Sequence, residues 1–143
     1  MSTRMMNAKA GFFIVVPPVA IAALVVAYAQ HPWNFLRVLG LVLLVPALIL
    51  LTIARFNLGS SFSVTPQARQ LVTTGVYSRI RNPIYVFSTI GLAGLFLYLH
   101  RPVLLLLLLP LIAVQVWRAR AESRVLEERF GEEYRRYKAR TWF

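Results

Sequence analysis

Cysteine and aspartate are both absent from this chain of 143 residues, and acidic side chains are scarce altogether. Without cysteine the chain forms no disulfide and cannot hold an iron–sulfur cluster or a cysteine-ligated zinc ion. Its five acidic residues are glutamates in one short stretch: Glu122, Glu127, Glu128, Glu132 and Glu133. Any chemistry that needs a carboxylate must therefore use this stretch, and we predict no metal site.

What the chain has in abundance is apolar surface and positive charge. Apolar residues make up 58% of the chain, and the mean hydropathy is +0.62, which is too high for an ordinary soluble fold. The net charge of +11 suits an anionic membrane surface better than nucleic acid in a chain this apolar. We therefore expect anionic lipid at the cytoplasmic surface as a partner, and no nucleic acid.

Four apolar runs predict the fold. Runs of this kind form transmembrane helices when they approach ~20 residues. We predict an all-α polytopic membrane protein, with residues 1–143 as a single domain that has four transmembrane helices and a basic amphipathic C-terminal helix. The predicted spans are about 11–29, 36–54, 84–99 and 103–117, and the cytoplasmic C-terminal helix is about 118–140.

The distribution of Lys and Arg predicts the orientation of these spans. Of the sixteen basic residues, only Arg37, at the edge of the second span, and Arg101 fall on the side assigned as outer. Because short cytoplasmic loops carry the excess of basic residues, both termini and the loop 55–83 are expected in the cytoplasm, in a bacterial inner membrane. An alternative stays open for the first span, since Ala27-Tyr28-Ala29 imitates a signal-peptide cleavage site. Cleavage there would not alter the orientation of the other spans.

The loop 55–83 combines turn-forming residues with apolar ones, which a simple connector would not need. We therefore expect it to pack on the helix bundle or on the membrane surface. The apolar residues concerned are Val64, Leu71, Val72, Val76, Tyr77 and Ile80.

The first candidate site is the segment 75–85, which leads into the third span. Asn82 is suited to cap a helix whose first residue is Pro83. The free amides and positive dipole of that helix end, together with Arg81 and Arg79, would attract a carboxylate or phosphate. The alternative interpretation is a capped transmembrane helix flanked by arginines that only fix orientation.

The second candidate is Glu122, shortly after the fourth span. In a continuous straight helix, Glu122, Leu126, Phe130 and Tyr134 share one face, so that a carboxylate heads an apolar stripe. The alternative role is an ion pair with Arg118. The other glutamates are expected on a solvated face, with ion pairs at a spacing of four: Arg124–Glu128, Arg129–Glu133 and Glu132–Arg136.

These two segments carry a family resemblance. The first reads Leu71-Val72-Thr73-Thr74-Gly75-Val76-Tyr77, followed by Arg81-Asn82-Pro83-Ile84-Tyr85, and the second reads Glu122 to Leu126, then Phe130-Gly131, Tyr134 and Tyr137. In this order the chain resembles, over about residues 55–140, the superfamily of isoprenylcysteine carboxyl methyltransferases and phospholipid methyltransferases. Three positions depart from that pattern: Asn82 replaces a usual His, Phe87 a Gly and Ser123 a second Glu. Asn82 keeps hydrogen-bonding capacity but cannot transfer a proton.

The resemblance implies methyl transfer from S-adenosylmethionine to a lipidic, prenylated or otherwise membrane-partitioning acceptor. The cofactor would lie between the 71–85 segment and the C-terminal helix, which would cover it as a lid. Arg81 and the amides of the third span would hold its carboxylate, Tyr85 or Tyr77 would face its adenine or sulfonium, and Glu122 would bind its ammonium or hydroxyl groups. The implied catalytic residues are Arg81 and Glu122, and the implied cofactor-binding residues are Val72, Gly75, Tyr77, Arg81, Asn82, Pro83, Tyr85 and Glu122.

Three other functions stay open at this point. A related membrane reductase would bind a nicotinamide cofactor in place of S-adenosylmethionine. A small four-span transporter would place an ionisable residue within a span, and the four apolar runs contain none apart from Arg37 at the edge of the second run. A non-catalytic membrane scaffold would keep the motifs without their chemistry, and the three departures from the family pattern would fit it.

Overall fold

The computed structural model describes the backbone of residues 3–58 and 71–143, and the side chains of residues 16–58 and 71–143. Within these ranges the regular secondary structure is helical and no strand forms, which confirms the predicted all-α class. The α-helices are α1 Thr3–Tyr28, α2 Phe35–Leu58, α3 Pro83–Tyr98 and α4 Leu108–Arg140, with 3₁₀ turns at Gly75–Ser78 and Pro102–Leu107.

Two segments of the described chain are long and apolar enough to cross a membrane, namely Phe35–Leu58 and Pro102–Arg140. The apolar stretches Val16–Tyr28 and Pro83–Tyr98 are shorter. The predicted fourth span and C-terminal helix belong to one helix in the structure, because α4 runs without interruption through residues 117 and 118. No proline or glycine lies there to end the helix, and the change from apolar to charged residues alone does not.

The core of the bundle is the antiparallel pair α2 and α3, which pack backbone to backbone through glycines. A Cβ atom added to Gly94 would lie 2.7 Å from the carbonyl oxygen of Gly40 and 2.7 Å from the amide nitrogen of Leu44. One turn earlier, Gly91 approaches Ala47 less closely, with its added Cβ 3.6 Å from the alanine Cβ. Small residues permit this approach, which is how helices associate where lipid offers no hydrophobic driving force.

We expect Gly94→Ala to lower the free energy of unfolding by about 1–3 kcal/mol, because the new methyl group forces the two helices apart. Gly91→Ala is the matched control, since its methyl group would make only an ordinary contact with Ala47. Both substitutions gain the same helix propensity. Thermal unfolding in detergent measures the difference, and equal stability of the two variants would contradict the glycine contact.

Helix α4 bends sharply at Gly131, where φ is 50° and ψ is −119°. Only glycine adopts such a conformation without strain. The bend turns the chain back on itself, and the hydroxyl of Tyr134 donates a hydrogen bond to Ser123 Oγ at 2.8 Å. In a straight helix, residues eleven positions apart would be about 16 Å apart. The predicted stripe from Glu122 to Tyr134 is therefore wrong beyond Phe130.

The reversal at Gly131 also changes the ion pairs. Arg135 contacts Glu127 across the bend at 2.9 Å and Glu132 at 2.7 Å, and Lys138 lies 4.0 Å from Glu127. The three predicted pairs at a spacing of four do not form in the described chain. Their side chains are solvated, and exposed pairs of this kind gain too little energy to fix one partner.

Beyond the bend, residues 131–143 form a C-terminal arm that closes over the segment before α3. Tyr134 and Tyr137 are buried, and the hydroxyl of Tyr137 donates to the carbonyl of Tyr77 at 2.7 Å. The last residues pair with residues 79–82 through a short parallel bridge between Ile80 and Trp142. The arm therefore holds the residues that lead into α3.

The predicted packing of the loop 55–83 is confirmed where the structure describes it. Tyr77 is only 7% exposed, and Gly75, with φ of 60°, leaves room for the side chain of Asn57 at the end of α2. Residues 59–70, which include Val64, lie outside the described part of the chain.

Candidate active site

A hydrogen bond between Tyr85 and Glu122 joins the two candidate segments. Tyr85 lies in the first turn of α3, which Pro83 begins, and Glu122 lies on α4 five residues beyond Trp117. The Tyr85 hydroxyl donates to Glu122 Oε1 at 2.5 Å. Residues that are 37 positions apart in the chain thus meet at one end of the bundle.

Glu122 is partly buried at the point where the apolar part of α4 has ended. Burial raises the pKa of the Glu122 carboxyl above its usual range, while the Tyr85 hydrogen bond and the positive charge of Arg118 act in the opposite direction. The guanidinium of Arg118 lies 6.0 Å from the centre of the Tyr85 ring. The Arg118 charge therefore acts on a Tyr85–Glu122 pair, and not on an isolated carboxylate as expected from the sequence.

Arg81 lies four residues before Tyr85 in the chain and is partly buried. Its Nε atom is fully buried and has no hydrogen-bond partner in the described part of the chain. A buried guanidinium N–H without an acceptor is costly. An anionic group at this end of the bundle would satisfy the donor.

The predicted anion site made of free backbone amides is wrong for most of the first turn of α3. The amide of Arg81 donates to the carbonyl of Trp142 at 2.9 Å, and that of Asn82 donates to the carbonyl of Phe143 at 2.8 Å. Tyr85 donates its amide to the Asn82 carbonyl at 3.1 Å, and Pro83 has no amide hydrogen. No pattern in the sequence indicates that the C-terminal arm takes these donors.

Asn82 does occupy the position before α3, with Pro83 as the first helical residue, as predicted. Its side chain makes no capping hydrogen bond, since its φ of −122° and ψ of 59° differ from the usual extended geometry of a cap. Asn82 therefore contributes the turn into α3, while its side chain has no capping role.

Tyr77 and Gly75 shape the segment that leads to Arg81. The Tyr77 ring is buried, which raises the pKa of its hydroxyl well above the usual range. Burial also raises the pKa of Tyr137, its partner in the arm, to about 12, so both hydroxyls are neutral at physiological pH. Because Tyr77 is enclosed, Tyr85 is the more accessible ring. Val72, the remaining predicted residue, is partly exposed.

A polar cluster extends from Tyr85 along α3 towards α4, and sequence reasoning missed it. The hydroxyl of Thr89 donates to Gln115 Oε1 at 2.8 Å, and Gln115 Nε2 donates to Ser88 Oγ at 3.2 Å. Gln115 was visible in the sequence as the one amide side chain in the apolar run 103–117. Its hydrogen bonds join the two helices that carry Tyr85 and Glu122.

The sequence matches the model of a family described as phospholipid methyltransferase over residues 34–133, which is more than two thirds of the chain. The match begins just before α2, so it covers more of the chain than the two motifs, and it ends just past the bend at Gly131. It includes Arg81, Tyr85 and Glu122. No curated protein and no solved structure matches the chain.

Proposed function

The chain belongs to the phospholipid methyltransferase family, a family of membrane methyltransferases, and from this we propose that it transfers a methyl group from S-adenosylmethionine to a lipidic or membrane-partitioning acceptor. The Tyr85–Glu122 hydrogen bond carries this proposal, because it unites the two segments that resemble methyltransferase motifs at one end of the bundle. The acceptor is a phospholipid or a prenylated molecule.

The residues present fit S-adenosylmethionine. The unsatisfied Nε of Arg81 is a donor for the methionine carboxylate. The partly buried Glu122 gains a counter-charge from the ammonium group, which offsets the burial that raises the pKa of its carboxyl. When bound, the cofactor supplies a methyl group on a positively charged sulfur.

The side chains of this site bind, orient and exclude water. Tyr85 holds the Glu122 carboxylate in one orientation through its hydroxyl and offers its ring face to a cation. The C-terminal arm covers Tyr77 and the residues before α3. Alignment and a dry site are the main requirements for a displacement in which charge is neutralised. His31 and His100 lie at the other end of the bundle, so neither acts as a base here.

The exposed surface of the helices supports a membrane arrangement. Leu109 and Trp117 on α4 are 67% and 70% exposed, and Val42 on α2 is 61% exposed. Such apolar faces belong in lipid. In our proposal α1 and α3 cross the membrane as well, giving four spans, and the acceptor enters sideways from the bilayer to the site beside Glu122.

We expect reporter fusions at Gln67 and after Phe143 to report the cytoplasm, because fourteen of the sixteen basic residues lie on that side in the four-span arrangement. A fusion at Pro32 is the control and should report the outer side. An outer-side signal at Gln67 or after Phe143 would contradict the arrangement, since it would place one predicted cytoplasmic segment across the membrane.

Incubating the purified protein with methyl-labelled S-adenosylmethionine and a total lipid extract tests the function directly. We expect label in a lipid fraction, with transfer lost in Glu122→Gln and kept in Glu133→Gln, which removes an equivalent but exposed carboxylate. Saturable binding of a nicotinamide cofactor without binding of S-adenosylmethionine would overturn the proposal in favour of a reductase.

A further inference from the structure

At the end of the bundle away from Glu122, the chain forms a partly open cavity of about 590 Å³. It lies where α1 ends, α2 begins and α3 ends, and its lining includes His31, Arg37, His100 and Arg101. The distance from this end to the other is large, because α2 alone separates Arg37 from Arg55 by about 27 Å. The cavity is therefore separate from the candidate active site.

Arg37 forms the inner wall of this cavity and is only 3% exposed. Its guanidinium donates to four backbone carbonyls, those of Tyr28, His31, Pro32 and Tyr98, and its carbon lies 5.0 Å from the centre of the Tyr98 ring. All acidic residues of the chain lie between residues 122 and 133 on α4. The Arg37 charge is therefore held by dipoles alone, without a carboxylate to neutralise it.

His100 is held in the cavity wall in a conformation that favours glycine. Its φ is 57°, and it ends α3 in a Schellman motif, with its own amide bonded to Leu97 and the amide of Arg101 bonded to Phe96. A histidine here incurs strain that glycine would avoid. The imidazole lines the cavity, where Asn34 Nδ2 donates to its Nδ1 at 3.2 Å.

Arg101 completes the positive lining. Its side chain is exposed and makes no hydrogen bond or ion pair within the described part of the chain. Two arginines and two histidines thus surround a cavity with no acidic residue near it. Such a lining favours an anion, and arginine suits the oxygens of a phosphate in particular.

The surroundings indicate where that anion comes from. Trp33 and Phe35, which flank the cavity at the start of α2, are 58% and 78% exposed, and Val103 beyond Arg101 is 66% exposed. Aromatic side chains beside basic ones are typical of the membrane interface, at the depth of lipid headgroups. Among the anions that can reach this end of the protein in a membrane, a lipid phosphate fits these surroundings best.

We propose that this cavity binds the phosphate group of a membrane phospholipid, with Arg101 and His100 as its direct ligands and Arg37 as a fixed positive charge behind them. The site is independent of methyl transfer. In the four-span arrangement it faces the outer side, where it would hold a lipid as a fixed structural or regulatory ligand.

Binding of soluble short-chain phosphatidylglycerol to the full chain in neutral detergent tests the proposal. Trp33 reports on the cavity by fluorescence once Trp117 and Trp142 are replaced by phenylalanine. We expect saturable binding that inorganic phosphate displaces at constant ionic strength. Arg101→Gln should weaken it by about ten- to a hundredfold, the effect of losing one charge-assisted hydrogen bond.

Two variants make the result decisive. His100→Gly should fold at least as well as the wild type, because glycine suits the backbone there, and should still bind more weakly. Arg120→Gln removes an exposed charge on α4 and should leave binding unchanged.

Equal losses in Arg101→Gln and Arg120→Gln would overturn the proposal, because the lipid would then respond only to the net charge of the protein. Absence of saturable lipid binding, or binding of inorganic phosphate alone, would overturn the lipid as the ligand.

Discussion

Replacing Glu122 by glutamine should weaken the binding of S-adenosylmethionine by about ten- to a hundredfold, which corresponds to the loss of one hydrogen bond to a charged group. The amide keeps the size of the side chain and can still accept from Tyr85, so the change removes mainly the negative charge. Arg81→Ala should have an effect of similar size, because it removes the buried donor that has no partner in the described protein. Calorimetric titration in detergent measures both.

Glu132→Gln and Glu133→Gln are the matched controls for this experiment. Both side chains are exposed beyond the bend at Gly131, so their loss should leave affinity unchanged. Equal effects of all four substitutions would mean that these charges act on the cofactor only through the net charge of the protein. Glu122 would then make no direct contact with the cofactor.

The dependence of binding on pH gives an independent check on Glu122. Because burial raises the pKa of its carboxyl, the protonated form persists above the usual range of a glutamate. A cationic group binds the ionised form, so affinity should increase as the pH rises through the raised pKa and then level off. The stability of the protein without cofactor should change in the opposite sense, decreasing from the ordinary carboxyl pKa upward. Glu122→Gln should abolish both trends.

The helices and the family could be predicted from the sequence because both depend on local patterns. Apolar runs mark where helices must bury their backbone in lipid, and Arg81-Asn82-Pro83 marks the start of α3 through the chemistry of a single turn. The proximity of the two motif segments could also be predicted. The contact between Tyr85 and Glu122 could not, because a side-chain pair 37 positions apart depends on how α3 and α4 pack.

The bend at Gly131 shows what local patterns leave out. A lone glycine within a helical pattern is tolerated as often as it marks a break, and here only the contacts of the arm determine which occurs. The burial of Tyr134 and Tyr137 against the rest of the chain requires the helix to bend at Gly131. The same holds for Arg37 near the start of α2, because no local pattern shows that it binds carbonyls from three separate parts of the fold.

Deleting the C-terminal arm, residues 131–143, should leave the protein inserted in the membrane and unable to bind S-adenosylmethionine measurably. Insertion depends on the apolar runs, all of which are retained, and Glu122 is retained as well. The deletion removes the cover over Tyr77 and the pairing of Arg81 and Asn82 with Trp142 and Phe143. Arg81 would then lie in an open, hydrated segment where its donors bind water.

A single substitution in the arm should weaken S-adenosylmethionine binding less than the deletion does. Tyr137→Phe removes one hydrogen bond to the Tyr77 carbonyl and keeps the buried ring. We expect the free energy of S-adenosylmethionine binding to weaken by about 1 kcal/mol, which is roughly fivefold in affinity. Tyr28→Phe is the control, since that exposed tyrosine lies at the opposite end of the bundle. Equal effects of the two variants on affinity would mean that the arm does not contribute to cofactor binding.

Hydrogen exchange distinguishes a lid from a membrane anchor. If the arm and the part of α4 that precedes it cover the cofactor, the amides of residues 118–137 should gain protection when S-adenosylmethionine is added, because the bound state lowers the population of locally opened chain. An amphipathic segment that only lies in the lipid interface would be protected by lipid and indifferent to the cofactor. Unchanged exchange at a saturating cofactor concentration would therefore exclude the lid, even if the deletion abolished binding.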